Sequence, residues 1–212
     1  MRKLFLGLLF AGACGLVIAQ APAPGTGTPA PVPAPAPAGA TTDFFPLVKG
    51  ASWTYSSNNT EVIVKVDSVN GSEAKLVTEF GGKPVANETI TIKADGVYRT
   101  KVNDTAIDGG GVKILALKDG KPTKGDKWSV ASKIQSSEVK GDFETKDVGL
   151  TVKVAAGDQK DVAYVEGPKF TIANTETSVK YWFAPKTGII KLEYSIGGQA
   201  NTVLELKGYK AQ

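Results

Sequence analysis

The chain has 212 residues, one cysteine, no histidine, and 25 basic against 21 acidic residues for a formal charge of +4. Lacking histidine, it has no Ser-His-Asp triad, no zinc site of the usual kind and no axial haem histidine. Any enzyme built on it would work with carboxylates, Lys, Tyr or Ser, and any metal would be held by oxygen ligands.

The N-terminus reads as a targeting segment. Arg2 and Lys3 precede an apolar run from Leu4 to Ala19, shorter than the roughly 20 residues of a membrane-spanning helix. Val17 and Ala19 place small side chains for cleavage before Gln20, which makes residues 1–19 a signal peptide. A rival reading takes Ala11-Gly12-Ala13-Cys14 as a lipobox with Cys14 as the lipidated first residue, although Ala11 stands where Leu is usual. Either route exports the protein to the periplasm or cell envelope, and lipidation at Cys14 would add association with a membrane surface. Cleavage after Ala19 removes Cys14, so the mature chain has neither thiolate nucleophile nor disulfide. Without Arg2 and Lys3 the charge falls to about +2. No basic cluster interleaves with aromatics, so nucleic acid is not an expected partner.

Residues 20–42 form a linker. Pro22, Pro24, Pro29, Pro31, Pro33, Pro35 and Pro37 alternate with Ala, Gly and Thr, a composition that favours an extended spacer with nothing to bury. Residues 43–212 are then one domain. Its segments read as strands. Val62, Val64 and Val66 alternate before Asn70-Gly71, and Ala74 to Phe80 returns. Pairing Val66 with Leu76, Val64 with Thr78, Val62 with Phe80 and Asp67 with Lys75 gathers the apolar side chains on one face. Thr89–Lys93 and Val97–Val102 form a second hairpin; a three-residue loop ending at a left-handed Gly96 sets Ile92 against Tyr98 and Ile90 against Thr100. Further expected strands are Val112–Lys118, Lys127–Ala131, Ile134–Val139, Gly149–Val154, Val162–Glu166, Lys169–Ala173 and Thr202–Lys207. No stretch carries helical spacing with caps. The fold class is therefore all-β, a strongly curved antiparallel sheet forming an open or half barrel, with a β-sandwich as the alternative. Lys49-Gly50-Ala51-Ser52-Trp53 recurs as Lys124-Gly125-Asp126-Lys127-Trp128, either a duplicated half-domain or two similar strand entries.

No group assembles into a catalytic, metal or cofactor site. Asn103-Asp104 and Asp108–Gly111 lack the spacing of a calcium loop. Glu79, Glu88, Asp126 and Glu193 are scattered through alternating strands, where exposed acids are expected. Aromatics remain: Phe44, Phe45, Trp53, Tyr55, Trp128, Tyr181, Trp182 and Phe183, most of them core. A curled sheet can enclose an apolar cavity at its mouth, and Trp53, Tyr55 and Trp182 are the candidate ligand-binding residues.

Four ordered motifs carry a resemblance. Phe44-Phe45-Pro46-Leu47 with Gly50, Trp53 and Tyr55 comes first, and Lys124-Gly125-Asp126-Lys127-Trp128 second. Val154-Ala155-Ala156-Gly157 with Asp161-Val162 follows, then Tyr181-Trp182-Phe183-Ala184-Pro185 through Gly188-Ile189-Ile190-Lys191. Together they resemble a broad group of uncharacterised bacterial exported proteins and lipoproteins. The resemblance implies an envelope-located curled sheet, LolA-like in style, and brings no activity or ligand with it. The expected function is a non-enzymatic envelope protein acting by binding or structural association with other envelope proteins. The alternatives are a carrier of an apolar, lipid-like small molecule and a carboxylate-dependent hydrolase.

The closing stretch Lys180–Ser195 reads as a hairpin around Pro185-Lys186-Thr187-Gly188, with Gly188 as a left-handed exit. Ala184 then opposes Ile189, Phe183 meets Ile190, Tyr181 meets Leu192 and Val179 meets Tyr194 on one apolar face. Trp182 with Lys191 and Lys180 with Glu193 take the other face.

Overall fold

The computed structural model describes residues 41–211. The signal peptide, Cys14 and the linker up to residue 40 lie outside the described residues. Thr41–Thr42 (β1) pairs with Phe45–Pro46 (β2) as a small sheet of its own, so ordered pairing begins inside the stretch assigned to the linker. The remaining strands are Ser52–Ser57 (β3), Thr60–Asn70 (β4), Glu73–Phe80 (β5), Lys83–Lys93 (β6), Gly96–Val102 (β7), Thr105–Ala106 (β8), Val112–Ala116 (β9), Lys127–Ile134 (β10), Ser137–Val154 (β11), Gly157–Ile172 (β12), Thr175–Ala184 (β13), Gly188–Ile196 (β14) and Thr202–Lys210 (β15). There is no α-helix among the described residues, only a 3-10 turn at Asp108–Gly110.

These 13 strands make one antiparallel sheet of two consecutive meanders. The first runs β3 to β9 and the second β10 to β15. β15 pairs with β3, Tyr209 opposite Trp53 and Leu206 opposite Tyr55, which joins the meanders at one junction. At the other junction β10 approaches β9 without a ladder. A lone bridge between Ile107 and Ile134 is supported by side chains. Trp128 Nε1 donates to the Lys113 carbonyl at 2.9 Å, and Ser132 Oγ donates to the Gly111 carbonyl at 3.4 Å. The sheet is therefore a nearly closed barrel, the curved form expected from the sequence.

The repeated Lys-Gly-x-x-Trp segment opens each meander with one and the same turn. Gly50 and Gly125 both sit at φ 86°, a left-handed conformation that glycine adopts without cost. Gly50 donates to Val66 and receives the strand back through Val66 to Ala51; Gly125 and Asp126 make the equivalent pair of bonds with Thr145. Trp53 then pairs with Val64 and Trp128 with Phe143. The echo in sequence is thus an echo in structure, with two strand entries at matched positions of two meanders.

Alternation along each strand sends one set of side chains inward. The core includes Val62, Val64 and Val66 of β4, Ala74 and Leu76 of β5, Tyr181 and Phe183 of β13, and Leu192 and Tyr194 of β14. The β4–β5 register matches the expected pairs at Val62, Val64 and Val66. Lys75 faces Ser68 in place of Asp67, because the extra residue is taken up by a bulge between Val66 and Ser68 and the turn closes on two residues. The β6–β7 hairpin departs by one residue: Lys93 pairs with Gly96, Ile92 with Val97 and Ile90 with Arg99. Gly96 is held close against β9, where a Cβ would lie 2.3 Å from the Leu115 carbonyl oxygen. That slip moves Tyr98 and Thr100 off the inner face and turns Arg99 inward.

Ile134–Val139 is not one strand; Gln135, at φ 55°, begins a turn between β10 and β11. Val162–Glu166 and Lys169–Ala173 are instead one long strand, continuous through an irregularity between Gly167 and Phe170 that accommodates Pro168. In the β13–β14 hairpin Tyr181, Trp182, Lys180 and Val179 have their expected partners. Ala184 meets Gly188 and Phe183 meets Ile189, since a bulge next to Trp182 shortens the loop by one residue.

Substituting Gly96→Ala should destabilise the domain by about 1–3 kcal/mol in urea unfolding, because the new methyl group must displace β9 backbone. Gly208→Ala, where nothing lies within 4 Å of the added Cβ, should leave the midpoint unchanged or raise it slightly.

Candidate functional site

The inner face of the barrel carries one charged pair. Glu88 on β6 and Arg99 on β7 are 5% and 9% exposed, and the Arg99 Nε donates to the Glu88 carboxylate. Tyr181 of β13 and Tyr55 of β3 line the same cavity, Tyr181 within the field of Arg99 and Tyr55 within that of Glu88. Around them lie Trp53, Ile90, Ile114, Leu192 and Leu204, enclosing a cavity of about 30 Å³. That is room for a water or two and roughly a tenth of the smallest ordinary ligand pocket.

Two of the three candidate ligand residues line this cavity, and both are bound to the closing hairpin. Trp53, 2% exposed, donates its indole N–H to the Thr187 carbonyl. Its ring stacks between Phe45 at 6.2 Å and Tyr209 at 5.3 Å. The Tyr55 hydroxyl donates to the Ile189 carbonyl at 2.7 Å. Trp182 is not with them. It stands half-buried on the outer face, between Tyr164 of β12, stacked at 4.9 Å, and Lys191 of β14, with its ammonium 4.8 Å from the ring centre. Neighbouring strands thus cover the indole from both sides, in a stripe where Glu193 also holds Lys191 at 2.8 Å and Lys180 at 3.8 Å. The anticipated trio therefore divides into two interior residues and one outer residue.

The anticipated acids do not converge. Glu79 pairs outside with Lys65 at 2.7 Å, Glu193 belongs to the outer stripe, and Glu88 is the one carboxylate lining the interior cavity. Asp104 is bonded to Lys75 at 2.9 Å. Among the described residues no group of three acidic, His or Cys side chains could hold a metal. The outer face of β10–β12 has a shallow hollow of about 550 Å³, but its polar groups are largely spent on each other. Ser129 donates to Asp142 at 2.6 Å and Lys146 to Glu144 at 3.0 Å.

Glu88 is among the candidate acids of the sequence, expected there to be exposed, but its pairing with Arg99 is hidden because a three-residue loop at Gly96 turns Arg99 outward. The signal was present: an acid on one strand of a hairpin and an arginine on the other, both within apolar alternation. Burial works against the Arg99 charge, but Glu88 and then Tyr181 outweigh it and hold its pKa above the ordinary value. All six tyrosines are held above the ordinary phenol range, in each case chiefly by burial. Glu88 adds to the shift at Tyr55, and burial with Glu166 pushes Tyr164 up to about 12.

Two solved structures share this architecture. One, described as a putative lipoprotein from Parabacteroides distasonis, aligns with a TM-score of 0.54 at 15% identity, over 80% of this chain and 99% of its own. The other, described as a putative exported protein with a YmcC-like fold from Bacteroides fragilis, gives 0.52 at 15% identity, over 80% and 100%. At that identity the likeness is one of fold. No protein-family model matches the chain, and no curated protein does.

Arg99→Met, which strands Glu88 in the interior, should cost about 3–5 kcal/mol by chemical denaturation. Combining it with Glu88→Leu should restore stability to about the wild-type level or above. Because the native tyrosines hold their protons more tightly than unfolded ones, stability should be level from neutral pH to pH ~10 and fall as pH rises further. Phenolate absorbance should show Tyr55 and Tyr181 ionising only as the barrel unfolds.

Proposed function

We propose that this chain is exported through residues 1–19, held in the cell envelope on its Ala/Pro-rich linker, and works there by binding or structural association without turnover. The reading also places it with the exported proteins and lipoproteins whose aromatic-Pro-Leu opening and closing aromatic-Ala-Pro hairpin it shares. The observation that carries the proposal is the state of the interior, which is packed down to a water-sized cavity around a neutral ion pair. In this conformation the cavity beside Glu88 and Arg99 is too small for a substrate, which favours a partner at the outer surface. The names of the two structural neighbours, a lipoprotein and an exported protein, agree with envelope placement.

A second reading has one specific observation in its favour. The cavity walls are the aromatic Trp53, Tyr55 and Phe45 and a polar pair at one point, the make-up of a pocket for an apolar ligand with a single polar end. On that reading the domain carries such a molecule in a more open form.

Intact mass and fractionation of protein made in an exporting host test the first proposal. A mature chain beginning at Gln20, or a diacylated one beginning at Cys14, is the expected product in the envelope fraction. Full-length chain retaining residues 1–19 in the cytosol overturns it.

A further inference from the structure

One wall of the cavity, at Phe45, is formed by a segment that is hardly part of the sheet. β1 and β2 pair only with each other, and a two-stranded hairpin of this size has little stability of its own. Among the described residues one backbone bond ties it to the barrel, from the Lys186 amide to the Asp43 carbonyl. What seats it is apolar contact. Phe45, 5% exposed, lines the cavity, stacks on Trp53 and touches Phe183 at 6.3 Å between ring centres, and Leu47 is fully buried behind it. Gly188 lies directly beneath, where a Cβ would come within 3.7 Å of Phe45 and Pro46. The segment is followed by the turn at Gly50, which is anchored to β4 through Val66. Opening of residues 41–47 therefore breaks no ladder bond of the barrel; what it gives up is the burial of Phe45 and Leu47.

We infer that residues 41–47 are a displaceable plug over a cryptic site, and that this site takes a single-chain amphiphile whose polar head is uncharged and both donates and accepts hydrogen bonds, such as an alcohol or an amide. The inference rests on the carrier reading and gives it a gate and a ligand class. Phe45 occupies the place of the ligand's apolar part. The head is uncharged because Glu88 and Arg99 already neutralise each other; a carboxylate or ammonium would enter a low-dielectric interior with no net counter-charge. It is a donor and an acceptor because the cavity lining offers both: the remaining guanidinium N–H groups and the Tyr181 hydroxyl donate, and the Glu88 carboxylate accepts. A plug that is mostly seated reduces apparent affinity by the fraction of molecules that are open.

The test pairs hydrogen exchange with ligand titration. In the wild-type protein, amides of residues 41–47 and that of Lys186 should exchange through a local opening, well before the strands of the barrel. The probes are 1-octanol and octanoate, each titrated at pH 7 and read by protection of residues 184–192. Phe45→Ala should bind 1-octanol about tenfold or more tightly than wild type, and octanoate at least tenfold more weakly than 1-octanol. Phe45→Leu serves the same purpose if the alanine variant does not fold. Equal affinity of wild type and variant, or exchange of residues 41–47 only on global unfolding, overturns the plug. Octanoate binding as tightly as 1-octanol overturns the ligand class, and absence of binding to a folded variant overturns the site. A host-made wild-type protein that yields no extractable amphiphile, while the variant binds 1-octanol, removes the carrier reading and leaves the plug standing.

Discussion

The pairing of β15 with β3 is the constraint on which the rest of this molecule depends. Each meander, taken alone, is a curved sheet with one apolar face and two open edges. Joining the last strand to the first long one removes two of those edges and turns both apolar faces toward each other. The joint is made by Leu204 and Leu206 inside and by Trp53 stacked on Tyr209. It also places Trp53 and Tyr55 so that their polar tips reach the backbone of the β13–β14 hairpin. The opposite junction is of another kind. There the two meanders meet through one bridge and two side-chain bonds, leaving the barrel nearly, and not fully, sealed.

A closed barrel must be filled, and the way this one is filled decides what it can do. Most of the interior is aliphatic or aromatic, yet Glu88 and Arg99 stand in the middle of it. A buried pair of this kind gains little net stability over an apolar core, because desolvation offsets most of the attraction. Its effect is to fix the β6–β7 register, since a slip of one residue would turn Arg99 out and leave Glu88 unpaired. The same pair supplies the charged point in the lining of the cavity. On the proposed carrier reading, the two side chains that oppose a register slip are also the ones that meet the ligand's head group.

Much of the fold was legible because period-two alternation dominates the chain. Val62, Val64 and Val66, and Val179, Tyr181 and Leu192, have the partners that their alternation requires, and Trp182 stands against Lys191 on the other face. What was not legible came from bulges and turns without a sequence signature. Gln135-Ser136 carries no Gly, Asn or Pro, so the β10–β11 turn was read as strand. Gly167-Pro168 looks like a break, yet β12 runs through it. Gly96 serves a close approach to β9 and not the left-handed turn position it suggests, and that one residue concealed the interior ion pair. The candidate aromatics were correctly divided at Tyr181 and Trp182, whereas the destination of Trp53 inside the barrel depends on the β15–β3 junction, whose strands are about 150 residues apart in the chain and lie beyond local pattern.

Residue-resolved native-state hydrogen exchange tests the central claim, that the β15–β3 joint holds the two meanders together. The account predicts that the paired amides of Ser52–Ser57 and Thr202–Lys210 are among the last to exchange, at the rate of global unfolding and together with those of β13 and β14. Amides at the β9–β10 junction should open earlier. Early exchange of β3 and β15, with the interiors of both meanders still protected, would contradict it.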